Sequence, residues 1–290
     1  MVWPWGLVFR VVWGCGWGNN GSPISGSMAS DAKDYAMSIS EIEDAVISYF
    51  RGFDVVAKKI KESELKTPDF IIHGKENVLI ELKEKFDAEE VYKEKVSILE
   101  GGGVFQSTQT TGYKKTISKI IAEAKEQLKA QKENTNSKYC FLFVVARGVN
   151  PSAQVEQFES TFYGRKSIID LESTSNQAVW CYYFTHSVFY RYRDVIDGAF
   201  IVNGKTKKAS LLINDKSSQY ECLLLSEFLS KFKGGIDIID PKELSAINKI
   251  FIADTVVPRG NEEAVKKHVF EKYGISNGIV MDFPTTVFSS

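Results

Sequence analysis

Cysteine is scarce in this chain: four among 290 residues, at positions 15, 140, 181 and 222, with no C-x-x-C pair. That spacing excludes a zinc ribbon and a thioredoxin-type dithiol. Cys140 and Cys181 lie in apolar or aromatic runs, as small buried thiols of a reducing, cytoplasmic compartment do. Net charge is nearly missing too, with 36 Lys+Arg against 37 Asp+Glu. No overall basic excess draws polyanions from a distance, so a polyanion site must be a local patch. G-x-x-x-x-G-K-[ST] and H-E-x-x-H are both absent, which removes the P-loop and zincin readings. The three histidines, His73, His186 and His268, show no ligand spacing. No repeat or heptad stands out, and no stretch reads as a membrane span.

What is present is a globular composition, 43% hydrophobic and 25% charged, which predicts a soluble globular chain with a substantial core. Four of the five tryptophans, Trp3, Trp5, Trp13 and Trp17, precede Met28. Residues 1–37 therefore read as an extension outside the fold, with Met28 as the natural start and a membrane or partner anchor as the alternative. From Ser38, apolar residues at 39, 42, 46, 49, 50 and 53 predict an amphipathic helix. A short strand is expected within 55–60 and a Lys-rich loop up to Thr67. Phe70–Ile72 and Val78–Ile80 flank turn residues and predict a hairpin. Residues 84–116, with Gly101–Gly103 and a Ser/Thr/Gln-rich run, read as a mobile loop. A second amphipathic helix spans about 117–128, and the unbroken apolar run Cys140–Ala146 predicts a strand buried on both faces. Beyond Pro151, a helix to Tyr163 is followed by strands near 179–185, 198–203 and 209–213, helices near 222–232, 241–249 and 262–273, and apolar runs at 236–239 and 250–252. The expected organisation is a core over 38–146, with residues 147–290 completing or extending it.

The hairpin carries the chemistry. Period-two alternation puts Leu79, Glu81 and Lys83 on one strand face. If Ile71 pairs with Leu79 and Ile72 with Val78, Asp69 lies opposite Glu81, with Cβ atoms roughly 4.5–5.5 Å apart. Two carboxylates so close repel unless a cation or proton intervenes. Mg²⁺, with Mn²⁺ as a substitute, held by Asp69, Glu81 and the backbone of Leu82, resolves the repulsion, and Lys83 can serve an attacking water or neutralise developing charge.

Pro68-Asp69, eleven residues, then Glu81-Leu82-Lys83 resembles the P-D…(D/E)-x-K signature of the restriction-endonuclease-like nuclease superfamily. The order helix, hairpin, helix, buried strand over 38–146 is similar as well. The resemblance implies an α/β fold with a mixed sheet flanked by helices, and Mg²⁺-dependent phosphodiester hydrolysis of nucleic acid, DNA before RNA, by a chain that can form a homodimer. It also implies a helix acid supporting a second metal site, for which Glu43 matches better than Glu41, and a glutamine on the following helix, for which Gln127 is the candidate. About thirty residues separate the motif strand from that helix, where the superfamily usually has few.

Residues 114–138 hold seven Lys against three Glu. Lys114, Lys115 and Lys119, with Gln127, are thus candidates for tracking phosphates, against the plainer reading of a solvated helix face. The aromatic cluster from Trp180 to Tyr192 reads first as core strand and second as a base-stacking surface. For the hairpin, the competing expectation is a polar face that is simply wet. For the chain as a whole, it is a non-catalytic nucleic-acid-binding or scaffold protein that keeps the nuclease fold.

Overall fold

The structure, a computed structural model, describes residues 39–61, 67–174 and 177–290. The expected extension at 1–37 and most of the Lys-rich stretch before Thr67 lie outside the described residues. The chain divides into two compact units, residues 1–57 and 58–290.

In the first unit, helix α1 (Ile39–Arg51) forms where the periodicity predicts it. Ile42, Val46 and Phe50, four apart, are its buried apolar positions, and Tyr49 meets Phe50 edge-on at 5.6 Å. The helix ends at Gly52, whose N–H donates to Ser48 O at 3.1 Å.

In the second unit, the elements that follow β1 (Ala57–Lys59) are β2 (Phe70–Ile72), β3 (Asn77–Lys85), α2 (Glu89–Glu100), β4 (Phe105–Thr110), α3 (Lys115–Lys132), β5 (Ser137–Ala146), α4 (Pro151–Tyr163), β6 (Lys166–Asp170) and β7 (Ala178–Tyr182). Then come α5 (Val188–Arg191), β8 (Gly198–Asn203), β9 (Ala209–Ile213), α6 (Tyr220–Leu224), α7 (Glu227–Ser230), β10 (Asp237–Ile239), α8 (Pro241–Ala246), β11 (Ile250–Ile252), α9 (Glu262–Tyr273), β12 (Gly278–Met281) and β13 (Pro284–Ser289). The main sheet has the order β1-β2-β3-β5-β8-β9-β10 and is accompanied by a four-stranded sheet, β11-β7-β6-β12, and the ribbon β13-β4. Strands β3, β5 and β8 run parallel, whereas β2 pairs antiparallel with β3, β9 antiparallel with β8, and β10 parallel with β9. The protein is therefore α/β, with a mixed sheet flanked by helices. Among the described residues no helix is long and apolar enough to cross a membrane.

Strand β5 is buried along its apolar length, as the run Cys140–Ala146 predicts, because parallel strands on both sides and helices over the sheet leave it no wet face. On one face Leu79, Cys140, Leu142, Val144, Ala199 and Ile201 share a core with Ile117, Ile121, Ala124 and Leu128 of α3 and Phe158 and Phe162 of α4. On the other, Phe141 and Phe200 pack against Phe228 at 5.2 and 6.4 Å. The sheet runs unbroken past residue 146 through β8, β9 and β10, so the motif-bearing strands and the C-terminal half share one core.

Several elements differ from expectation. Residues 84–116 form ordered structure: β3 reaches Lys85, α2 follows, and β4 pairs with β13 from Pro284↔Thr110 to Ser289↔Phe105. Helix α2 buries none of its residues, so it carries little apolar periodicity, and the partner of β4 lies at the far end of the chain. The helix expected over 222–232 is two short ones, because Ser226 interrupts it and caps α7 through the Leu229 N–H. Strand β7 ends at Tyr182 because Tyr183 adopts φ 60°. The aromatic segment 180–192 supplies Tyr182, Tyr183 and Phe189 to the core and leaves Tyr190 exposed.

Gly198 opens β8 where a Cβ would lie 2.5 Å from the Phe141 ring and 2.6 Å from the carbonyl oxygen of Leu212. A backbone oxygen cannot swing aside as a side chain can. Gly198→Ala is expected to cost about 1–3 kcal/mol, read as a lower urea midpoint with unchanged slope.

Candidate active site

The hairpin closes in the register the apolar pattern selects: Ile71 faces Leu79, Ile72 faces Val78 and Phe70 faces Ile80. One further step puts Asp69 across from Glu81. The Asp69 carbonyl accepts the Ile60 N–H at 2.8 Å on its other side, so Asp69 and Glu81 form a non-hydrogen-bonded pair, the kind whose side chains approach most closely. The Asp69 charge acts directly on the Glu81 carboxyl. Asp69 is further fixed by the Leu82 N–H, which donates to Asp69 Oδ2 at 2.7 Å.

Pro68 has a role in the same geometry. By the same register it stands opposite Leu82, and proline has no N–H to offer to the Leu82 carbonyl. A strand residue turns its N–H and C=O to the same side, so that carbonyl faces the side on which the Asp69 carboxylate lies. Asp69, Glu81 and Leu82 therefore present oxygen atoms toward one place.

Glu81 is 0% exposed, which removes the wet-face reading of the hairpin. Its neighbours along the sheet are Leu142 and, on the next strand, Ala199. Lys83 Nζ lies 2.6 Å from Glu81 Oε1, yet neither oxygen of the Glu81 carboxylate receives a well-directed hydrogen bond. Burial pushes the Glu81 carboxyl up to about 8; the adjacent Asp69 charge adds to the rise and Lys83 opposes it. A buried carboxylate beside a second one, without directed donors, is the environment a hard cation completes. The available donors are all oxygens, as Mg²⁺ or Mn²⁺ requires. Among the described residues no group of three or more His, Cys, Asp or Glu side chains gathers in a metal-holding arrangement. An ion here would rest on two carboxylates and the Leu82 carbonyl, leaving positions for water and substrate, as Mg²⁺ sites commonly do.

Lys83 also reaches helix α3, donating to Gln127 Oε1 at 3.0 Å. Gln127 Nε2 donates to the Thr67 carbonyl at 3.2 Å. The structure thus brings Gln127 to Lys83, and adds Thr67, which no side-chain pattern flags because it acts through its backbone. The lysines of α3 are not gathered at the carboxylates. Lys114 is bound at the start of the helix, its Nζ donating to Thr110 Oγ1 at 2.8 Å. Lys115 and Lys119 are exposed, about 18 and 12 Å from Gln127 along the helix axis. Glu43 lies on α1 in the first unit and is buried; Glu41 is exposed.

No protein-family model, curated protein or solved structure matches the chain.

With its folded value raised from 4.5 to about 8, Glu81 binds a proton in the folded state that the unfolded chain has already released. Its contribution to stability is thus fully present below about pH 4.5 and lost as pH rises through about 8. In chelator the wild-type chain should lose up to about 1.4 kcal/mol of stability per pH unit from this group across that window, and Glu81→Gln should flatten that slope. Urea midpoints measured from pH 5 to 9 check it; parallel curves for the two proteins would contradict a protonated Glu81.

Proposed function

We propose that the chain is a divalent-cation-dependent nuclease with a restriction-endonuclease-like core, hydrolysing phosphodiester bonds of nucleic acid, DNA before RNA. The observation that carries this reading is Glu81: a carboxylate with no exposure and no directed donors, facing a second carboxylate, with an ammonium 2.6 Å away. A wet hairpin or a purely structural ion pair gives no reason for Asp69 to stand beside it. The pairing of Asp69 with Glu81, the placement of Pro68 opposite Leu82, and the link from Lys83 to α3 all support the same site.

Asp69 and Glu81 are the residues that hold the cation, with the Leu82 carbonyl beside them. When bound, Mg²⁺ supplies positive charge at the scissile phosphate and makes water a better nucleophile. In the overall reaction a water oxygen forms a bond to phosphorus, the phosphorus–oxygen bond to the leaving sugar breaks, and the products are a phosphomonoester and an alcohol. Lys83 holds a proton at Nζ next to the reacting groups, where it orients the attacking water and offsets charge on the phosphoryl oxygens. Gln127 keeps that ammonium from swinging into solvent, anchored in turn by the Thr67 carbonyl.

The test is incubation of the purified chain with a panel of DNA and RNA substrates, with and without Mg²⁺ or Mn²⁺. Cation-dependent cleavage is expected, and Asp69→Ala should abolish it without loss of the folded state. Lys83→Met should lower kcat by about 10²–10⁴ while the chain still binds Mn²⁺ in a titration. Undiminished cleavage by the Asp69 variant would sink the assignment. Absence of both cleavage and stoichiometric Mn²⁺ binding would favour the scaffold alternative.

A further inference from the structure

The β8–β9 loop is a strongly one-signed stretch of the second unit. From Gly198 to Asn214 the chain contains Lys205, Lys207 and Lys208 and no acidic residue. All three lysines are exposed, and none makes an ion pair among the described residues. Most other exposed lysines with an assigned contact sit against a carboxylate, as Lys93 does with Glu89 at 2.8 Å and Lys242 with Glu221 at 3.0 Å.

The loop is built rigidly. Asn203 Oδ1 accepts the N–H groups of Lys205 and Thr206, both at 3.0 Å, while Asn203 Nδ2 donates to Ser152 Oγ of α4 at 3.2 Å. The Lys207 N–H closes the turn onto the Asn203 carbonyl at 2.8 Å, and Lys207 itself is left-handed at φ 59°. Gly204 donates its N–H to Ala146 O at 2.8 Å, so close that a Cβ there would sit 2.6 Å from the same oxygen. The ammonium groups are exposed; the backbone that carries them is held against the end of β5.

Sheet register fixes where this loop lies. Lys83 pairs with Val144, and Val144 with Ile201. Lys83 and Ile201 are thus two strands apart, about 10 Å, on strands that run in one direction. The lysines follow four to seven residues after Ile201, so the loop projects beyond the sheet edge on the side toward which β3 carries Lys83, at about 15 Å from it.

We infer that the Lys205–Lys208 loop is a clamp for the phosphodiester backbone of a nucleic acid whose scissile bond lies at Asp69 and Glu81. The inference rests on the nuclease reading for the identity of the polyanion. Three unpaired lysines on a seated turn give a charge-matched contact that carries no sequence information, as backbone contacts do. Lys115 and Lys119 stand on a different element and are not needed for it.

The experiment compares the full-length wild type with a Lys205→Gln, Lys207→Asn, Lys208→Gln triple variant, asparagine being chosen because it tolerates positive φ. Binding of a fluorescent 25-base-pair DNA duplex and of the matching RNA duplex is measured in chelator across a salt series. The slope of log K against log salt for DNA should become shallower by about 2.7 in the variant, at 0.9 per lost contact, with at least tenfold weaker binding at the lowest salt. The urea midpoint and the Glu81-dependent pH slope of stability should be unchanged, which a general structural defect would not allow. Equal slopes and affinities in a wild type that binds and cleaves would overturn the clamp and leave the nuclease reading standing. A wild type that binds neither duplex would overturn both.

Discussion

A carboxylate in the middle of an apolar layer is the constraint around which the second unit is arranged. Strand β3 has a parallel neighbour, β5, and its face toward α3 begins with Leu79 in the continuous core. Two residues on, the same face carries Glu81, still with no contact with water. Charge at such a place is costly unless it is compensated locally. The compensation comes from the next inward position, Lys83, and the position of Lys83 is set by Gln127 on the helix that covers this face. Moving β3 by one residue would send Glu81 to the Phe-rich opposite face and strand Lys83 from both partners. The apolar pairs Ile71–Leu79 and Ile72–Val78 guard against that slip, so core packing and site geometry are enforced by the same register.

The thirty residues between the motif strand and α3 are absorbed without disturbing this arrangement. Asp87 receives the Val149 N–H at 2.9 Å and Gln154 Nε2 at 3.0 Å, and Gln154 returns its oxygen to the Gly148 N–H at 2.8 Å. Tyr92 donates to the Arg147 carbonyl at 2.5 Å, while Arg147 pairs with Glu84 at 2.7 Å. The departing end of β3, the first turn of α2 and the end of β5 are thus tied together. β4 then joins the C-terminal strand β13, and α3 returns across the sheet to deliver Gln127 to Lys83. A segment that enters and leaves through such ties leaves the paired strands alone.

What was legible in the sequence follows this division between local and distant causes. The hairpin register, α1, α3 and β5 were readable because each is specified by its own apolar spacing, and the face shared by Glu81 and Lys83 follows from strand period alone. Gln127 is picked out only by family resemblance, and its meeting with Lys83 is not legible in the sequence, since the two lie 44 residues apart and nothing in either neighbourhood names the other. β4 was unreadable because its six residues, Phe-Gln-Ser-Thr-Gln-Thr, are largely polar and gain their strand state from β13, more than 170 residues away. Helix α2 was missed for the complementary reason that it buries nothing. The lysines of the β8–β9 loop were passed over because a Lys-rich turn looks like any solvated turn until the register of β3, β5 and β8 puts it at the site's edge of the sheet.

That last case changes what the near-zero net charge means. The acids that matter to the fold are inside and individually compensated. Asp197 accepts the Cys140 N–H at 2.8 Å and a hydrogen bond from Ser217, Asp215 is met by Tyr183 and by Lys216 at 2.6 Å, and Asp240 accepts from Tyr220 at 2.7 Å. Charge neutralised at contact distance contributes little potential further out. Three exposed lysines with no ion pair among the described residues are not offset in this way. A chain can therefore sum to -1 and still present a positive edge, because the total counts each charge equally and the field outside does not.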